Sequence, residues 1–275
     1  MCERNAKGKT PEDYGFHMPD KKNDFHIEPN EKSSIKKIIG IVSGKGGVGK
    51  SFVTSMLASE MQRKGYRTAV LDGDITGPSQ GKAFGIHDPA QGDGTLIYPA
   101  ITKSGMQVIT TNMILDSDET PVIWRGPMVA NILKQFYTDV YWDDVDYMFV
   151  DMPPGTSDVP LTAFQSLPLD GIVVVTSPQE LVSMVVEKAI NMAEKMNIRV
   201  LGLVENMSYV KCPKCGEIIR VFGESHIQEV AAKYHLPVLA QVPMDPAIAA
   251  ACDAGKIEDL EIEEIKPACN VIENL

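Results

Sequence analysis

The chain has 275 residues, 44% of them apolar, which suffices for one sizeable core, and 26 basic against 37 acidic residues leave a formal net charge of −11. That charge repels polyphosphate backbones and anionic lipid, so neither nucleic acid nor a membrane surface is an expected partner. No apolar run approaches the ~18 residues a membrane span needs, and the polar N-terminus lacks the apolar core of a signal peptide, so a cytoplasmic protein is expected.

Residues 1–34 mix charges of both signs with Pro11, Pro19 and Pro29 and have no hydrophobic period, which predicts a flexible tail ahead of a single domain spanning 35–275. The apolar run 38–42 predicts a buried strand. It opens onto Gly44-Lys45-Gly46-Gly47-Val48-Gly49-Lys50-Ser51, which matches the phosphate-loop pattern G-x-x-x-x-G-K-[ST]. In such a loop the bare glycine backbone lets N–H groups close on phosphate oxygens, Lys50 reaches the β/γ-phosphates and the Ser51 hydroxyl ligates Mg²⁺. Val48, Phe52, Met56 and Leu57 then recur at helical spacing, so a helix N-terminus is expected under the phosphates, with Phe52 counted among the nucleotide-binding candidates. The expected ligand is a Mg-nucleoside triphosphate.

A second strand is predicted at 67–71, closed by Asp72-Gly73-Asp74, and a Gly/Pro-rich stretch fills 75–94. Strands follow at 96–101 and 106–110, a helix at 128–137, and a hydrophobic strand at 146–151 that ends in an acid. Further strands at 171–176, 199–204 and 237–240, with a helix over 179–196 between the first two, complete an alternation that predicts a doubly wound α/β fold with a mostly parallel sheet. In such sheets ligands sit beyond the strand C-termini, where the loop, Asp74 and Asp151 all fall. Asp151 fits a Walker-B acid holding Mg²⁺ directly or through water, and Asp72 or Asp74 can orient the attacking water. Lys45 stands five residues before Lys50, which already supplies the loop's own charge. It can instead reach a nucleotide on a second copy, as an arginine finger does, making hydrolysis depend on a dimer.

Five cysteines, Cys2, Cys212, Cys215, Cys252 and Cys269, form an odd set with one close pair, a pattern that fits metal or redox chemistry better than a disulfide framework. Cys212-x-x-Cys215 offers half of the four-thiolate shell of a [4Fe–4S] cluster or a closed zinc site. The simplest source of the other half is the same pair on a two-fold mate, which puts the metal at a homodimer interface. Zinc across the same dimer and a thioredoxin-like redox pair are the alternatives. Cys252, after Ala249-Ala250-Ala251, is expected in the core, and Cys2 and Cys269 in tails.

The phosphate loop with its extra Lys45, the Asp72-Gly73-Asp74 turn and the Asp151 strand end resemble the deviant Walker-A P-loop ATPases, the class of MinD, ParA and the nitrogenase iron protein. Four segments narrow the resemblance to the Mrp/ApbC/Nbp family of iron–sulfur cluster carriers. They are Leu71-Asp72-Gly73-Asp74-Ile75-Thr76-Gly77-Pro78-Ser79, Asp151-Met152-Pro153-Pro154-Gly155-Thr156-Ser157-Asp158, Glu205-Asn206-Met207-Ser208 and Cys212-Pro213-Lys214-Cys215. The resemblance implies a homodimeric ATPase that takes a cluster from a donor and passes it to apo iron–sulfur proteins. Lys45 is then the signature lysine acting across the dimer, Asp74 the water-orienting switch residue and Asp151 the outer-shell Mg²⁺ acid, while Asn206, Pro243 and Asp245 lie at the adenine. The family's eukaryotic members carry a further four-cysteine motif near the N-terminus. Here that region has only Cys2, so a second tightly held cluster is not expected. A positioning ATPase like MinD would want a basic amphipathic C-terminal helix, whereas residues 257–264 are acidic.

Overall fold

The computed structural model describes residues 27–75, 77–114, 126–155, 158–178 and 182–275. Cys2 and residues 1–26 of the expected tail, Thr76, Thr156 and Ser157 of the motifs, and 179–181 of the helix expected at 179–196 lie outside the described residues. In chain order the elements are β1 (Ile35–Val42), α1 (Lys50–Arg63), β2 (Thr68–Asp72), α2 (Gln80–Phe84), β3 (Gln91–Gly92), β4 (Ile97–Tyr98), β5 (Ala100–Ile101) and β6 (Gln107–Ile109). They continue with α3 (Gly126–Thr138), β7 (Val145–Asp151), α4 (Asp158–Ser166), β8 (Gly171–Thr176), α5 (Val182–Lys195), β9 (Val200–Glu205), β10 (Val210–Lys211), β11 (Ile218–Ile219), α6 (Ile227–Tyr234), β12 (Val238–Gln241), α7 (Pro246–Asp253) and α8 (Lys266–Glu273).

The main sheet runs β12-β9-β8-β1-β7-β2-β6-β5. All neighbours are parallel except the β5–β6 pair at one edge. Side chains alternate across it with the two-residue period of a strand. Ile38 and Val42 of β1, Met148 and Val150 of β7, and Ile172 and Val174 of β8 enter one core with Leu133, Phe136 and Ile190. Ile39 and Ile41, Tyr147 and Phe149, and Val173 and Val175 enter the other with Val53, Met56 and Leu57 of α1 and Ile272 of α8. Burial on both faces is why these strands read as unbroken apolar runs. Phe149 is fully buried, and truncating it to alanine should cost about 3–5 kcal/mol.

Several features depart from the residue pattern. Residues 27–34 dock on the domain rather than trailing as part of a tail. The Ile27 N–H donates to the Ser166 carbonyl at 3.0 Å, and the Asn30 amide to the Thr138 and Val140 carbonyls at 3.0 and 2.8 Å. The run 96–101 splits into β4 and β5 at Pro99, whose ring nitrogen has no proton for a ladder bond. The Gly/Pro-rich stretch contains α2 and β3, and α4, α6, α7 and α8 are additional helices. Cys269 is fully buried on α8, not in a tail, because the C-terminal helix packs against α1 and β12. Cys252 sits half-buried on α7, which contributes no fully buried residue, so it is not a core cysteine.

Candidate nucleotide site and cysteine pair

Three parallel strands converge on the site. β7 lies between β1 and β2, with Asp151 in register with both Ile41 and Asp72, so the phosphate loop, the β2 acids and Asp151 share one sheet end. Gly47 and Gly49 hold left-handed backbone at φ 82° and 81°, as a loop folding its amides inward requires. A Cβ at Gly46 or Gly47 would meet nothing within 4 Å, so the loop faces open space wide enough for phosphate oxygens. A Cβ at Gly49 would lie 2.1 Å from Asn206 Nδ2, which restricts that position to glycine. The loop is braced from below, since the Ser43 hydroxyl donates to the Lys45 carbonyl at 3.0 Å and the Gly155 N–H to the Ser43 carbonyl at 2.9 Å. α1 starts at Lys50 with no acid in its first turn, leaving its positive end directed at the loop. Gly44 and Ser51 are half-buried beside it, Val48 is buried, and Lys45 is exposed. Phe52 packs against the α1-side core. The loop thus fits the phosphates of a bound nucleotide.

The Lys50 ammonium, only 5% exposed, pairs with the fully buried Asp151 carboxylate and lies 3.9 Å from Asp74 Oδ2. Asp151 also accepts from the Thr54 hydroxyl at 3.2 Å and from the Gln80 amide at 2.9 Å. That amide also donates to the Ser51 carbonyl at 3.0 Å, and the Ser55 hydroxyl donates to Gln80 Oε1 at 2.7 Å. Gln80 therefore ties α2 to Asp151 and the loop helix. It lies in an aperiodic stretch, and the only hint in the sequence is its place soon after Asp74. The two β2 acids are not equivalent. Asp72 is fully buried and accepts from the backbone N–H groups of Asp74, Ser79 and Gln80 and from the Thr110 hydroxyl, all at 3.1–3.2 Å. Burial, and secondarily the Asp151 charge, push its carboxyl up to about 7. Asp74 keeps 16% of its side chain exposed, facing the Lys50 end of the loop. The arrangement makes Asp72 the brace of the turn and leaves Asp74 partly exposed beside Lys50.

On the opposite flank Asn206 follows β9 and donates its amide to the Val48 carbonyl at 3.0 Å, holding the loop by its backbone. Val242 pairs its N–H with the Glu205 carbonyl at 2.8 Å, which brings Pro243 alongside. Asp245 caps α7, accepting from the Ala247 N–H at 2.8 Å.

The cysteine pair lies apart from this cleft, on the β10–β11 hairpin. The turn closes by the Gly216 N–H donating to the Cys212 carbonyl and the Cys212 N–H to the Glu217 carbonyl, both at 2.9 Å, with Gly216 left-handed at φ 76°. The backbone N–H groups of Cys215 and Lys214 and the Cys215 thiol point at the Cys212 sulfur and hold its thiol below the ordinary range. Donors aimed at a sulfur favour the thiolate, the form that binds metal. Among the described residues no group of three or more His, Cys, Asp or Glu side chains could hold a metal ion by itself. Ile218, Ile219, Val221 and Phe222 stand 51, 48, 56 and 38% exposed next to the pair.

The family model described as NUBPL iron-transfer P-loop NTPase, of the ParA group, matches residues 34–275. The iron-sulfur cluster carrier protein of Clostridium perfringens is 43% identical over 238 residues, covering 84% of both chains. The cytosolic Fe-S cluster assembly factor of Candida glabrata is 40% identical over 78% of each. Among solved structures, a nucleotide-binding protein from Archaeoglobus fulgidus in complex with ADP superposes with a TM-score of 0.76 at 37% identity, over 84% of this chain and 91% of that one. With its parallel sheet and phosphate loop in register, the chain belongs to the NUBPL-type iron-transfer family of P-loop NTPases.

Proposed function

We propose that the protein binds and hydrolyses ATP and carries a [4Fe–4S] cluster between two copies of itself, receiving it from a donor and passing it to apo iron–sulfur proteins in the cytoplasm. The observation that carries this reading is the Cys212–Cys215 turn. Backbone donors hold the Cys212 thiol below its ordinary range, yet the turn supplies only two ligands of the four a cluster takes. A two-fold mate supplies the same two, and would cover the apolar Ile218, Ile219, Val221 and Phe222 that an isolated copy leaves in water. A shallow site with two ligands per chain suits loading and release.

In the nucleotide site, Lys50 neutralises the β/γ-phosphates, Ser51 and Asp151 hold Mg²⁺, and Asp74 orients the attacking water. Lys45, exposed on the loop, reaches the nucleotide of the second copy. Asn206, Pro243 and Asp245 line the adenine side. Anaerobic reconstitution with iron and sulfide, followed by activation of an apo iron–sulfur enzyme, tests the reading. Brown protein that activates the recipient is expected. Colourless protein that retains stoichiometric zinc instead would replace the carrier with a zinc-bridged ATPase.

A further inference from the structure

The nucleotide loop and the cysteine hairpin lie in different parts of the chain, but a single buried carboxylate stands between them. Glu205 is the last residue of β9 and is 1% exposed. Its Oε2 accepts from the Ser208 hydroxyl at 2.6 Å and the Gln241 amide at 2.9 Å, and its Oε1 from the Ser225 hydroxyl at 2.5 Å. Ser208 and Ser225 bracket the segment that contains Cys212, Cys215 and the β10–β11 ladder, so both ends of the hairpin are fastened to one side chain. The next residue, Asn206, donates its amide to the Val48 carbonyl of the phosphate loop and its N–H to the Thr176 carbonyl at 2.8 Å.

This turn is over-determined. Met207, between Asn206 and Ser208, is held at φ 56°, a left-handed conformation that a non-glycine side chain adopts only when its neighbours fix it. The Ser208 N–H donates to the Val242 carbonyl at 2.9 Å and the Met244 N–H to the Tyr209 carbonyl at 2.7 Å, so the strand that leads to Pro243 and Asp245 is tied to the same turn. Hydroxyl and amide donors on a buried carboxylate make strong bonds, and losing one leaves charge unsolvated. The phosphate loop, the Glu205 carboxylate and both hairpin ends are thus joined through one continuous chain of bonds.

Resting on the proposed function, we infer that Glu205 is a positioning residue that couples nucleotide binding at the phosphate loop to metal binding at Cys212 and Cys215 within one chain. Coupling of this kind is reciprocal: whatever factor metal applies to nucleotide affinity, nucleotide applies to metal affinity.

The test uses the full chain, with Mg-ADP as the nucleotide and Co²⁺ as a spectroscopic probe of the thiolate pair. Mg-ADP affinity is measured with and without saturating Co²⁺, and Co²⁺ affinity with and without Mg-ADP. The wild-type protein should show matched shifts of about fivefold or more in both directions. Ser225→Ala, which removes the far anchor together with the bond the hydroxyl accepts from the Ile227 N–H, should bring both ratios within about twofold of unity while leaving metal-free Mg-ADP affinity unchanged. Glu205→Gln should do the same to the ratios, and Ser225→Thr, which keeps the hydroxyl, should retain the coupling. A merely structural role would instead lower thermal stability in each variant with the ratios intact, and that result overturns the inference. So does a wild type that binds both ligands independently, which would leave the carrier reading standing. A wild type that binds neither ligand overturns both.

Discussion

The phosphate loop and the cysteine hairpin solve the problem of holding charge in opposite ways. Around the loop, Asp72 and Asp151 are fully buried, Lys50 is 5% exposed, and each carboxylate is satisfied by donors from the same chain. Around the hairpin, Cys215 is exposed, the adjoining apolar side chains stand in water, and the ladder is two residue pairs long. The buried part of the first site is built by folding of one chain, because β1, β2 and β7 deliver their C-termini together. The second offers two thiols, and under the proposed function another copy completes it. A carrier needs both properties, a firm engine and a coordination site open to exchange.

The sharpest way to break this comparison is to remove a thiolate. Cys215→Ala should abolish cluster binding after anaerobic reconstitution, measured as iron and sulfide per chain, while Mg-ATP still binds. Iron retention near the wild-type level would mean that the hairpin is not the metal site. Next in size, Lys50→Ala should lower hydrolysis on the order of 10²–10³-fold, as loss of a positioned transition-state donor does, without touching the iron content. A phosphate-release assay decides, and an unchanged rate would remove Lys50 from the chemistry.

Gly49→Ala probes how tightly the first site is built. The added methyl meets Asn206 in a left-handed backbone position, and about 1–3 kcal/mol of stability should be lost in urea unfolding. A neutral substitution would mean that the loop yields more readily than its contacts imply.

Asp72 gives the pH dependence of the buried site. Its carboxyl is raised from 3.8 to about 7, so the folded protein keeps a proton that the unfolded chain releases. The stability this group contributes is present below pH about 4 and is lost as pH rises through about 7. Comparing urea midpoints at pH of about 5 and about 8, the decline should shrink in Asp72→Asn, and an identical decline would contradict the raised value. The smallest effect is one of ranking at the open site. With iodoacetamide, Cys212 should be modified before Cys252, whose thiol burial pushes up, and before Cys269, buried and raised to about 12. Peptide mapping reads the order, and earlier modification of Cys269 would contradict its burial.

Much of this was legible in residues alone. The fully buried strands announced themselves as apolar runs, and the phosphate loop as a local pattern of glycines, lysine and serine whose backbone geometry is nearly self-contained. The short strands at Pro99 and the helices α2 and α7 were not legible, because tertiary contacts rather than a strong hydrophobic period hold them, whereas the period of α6 at Ile227, Val230, Ala231 and Tyr234 was present in the sequence and overlooked. Gln80 and Glu205 escaped notice as working side chains for a related reason. A polar residue acquires a role only from what the fold places beside it, and their partners lie as far away as Asp151 and Gln241. Likewise, Asp72 and Asp74 look alike in sequence, and only depth separates the buried brace from its partly exposed neighbour beside Lys50.

The central claim is that two copies complete one cluster. Native mass spectrometry of the anaerobically reconstituted protein, read together with Mössbauer spectra, tests it most directly. The account predicts a dimer carrying a single [4Fe–4S] cluster, about two iron atoms per chain, which falls to monomers when the cluster is chelated. A monomer holding an intact cluster on Cys212 and Cys215 would contradict it.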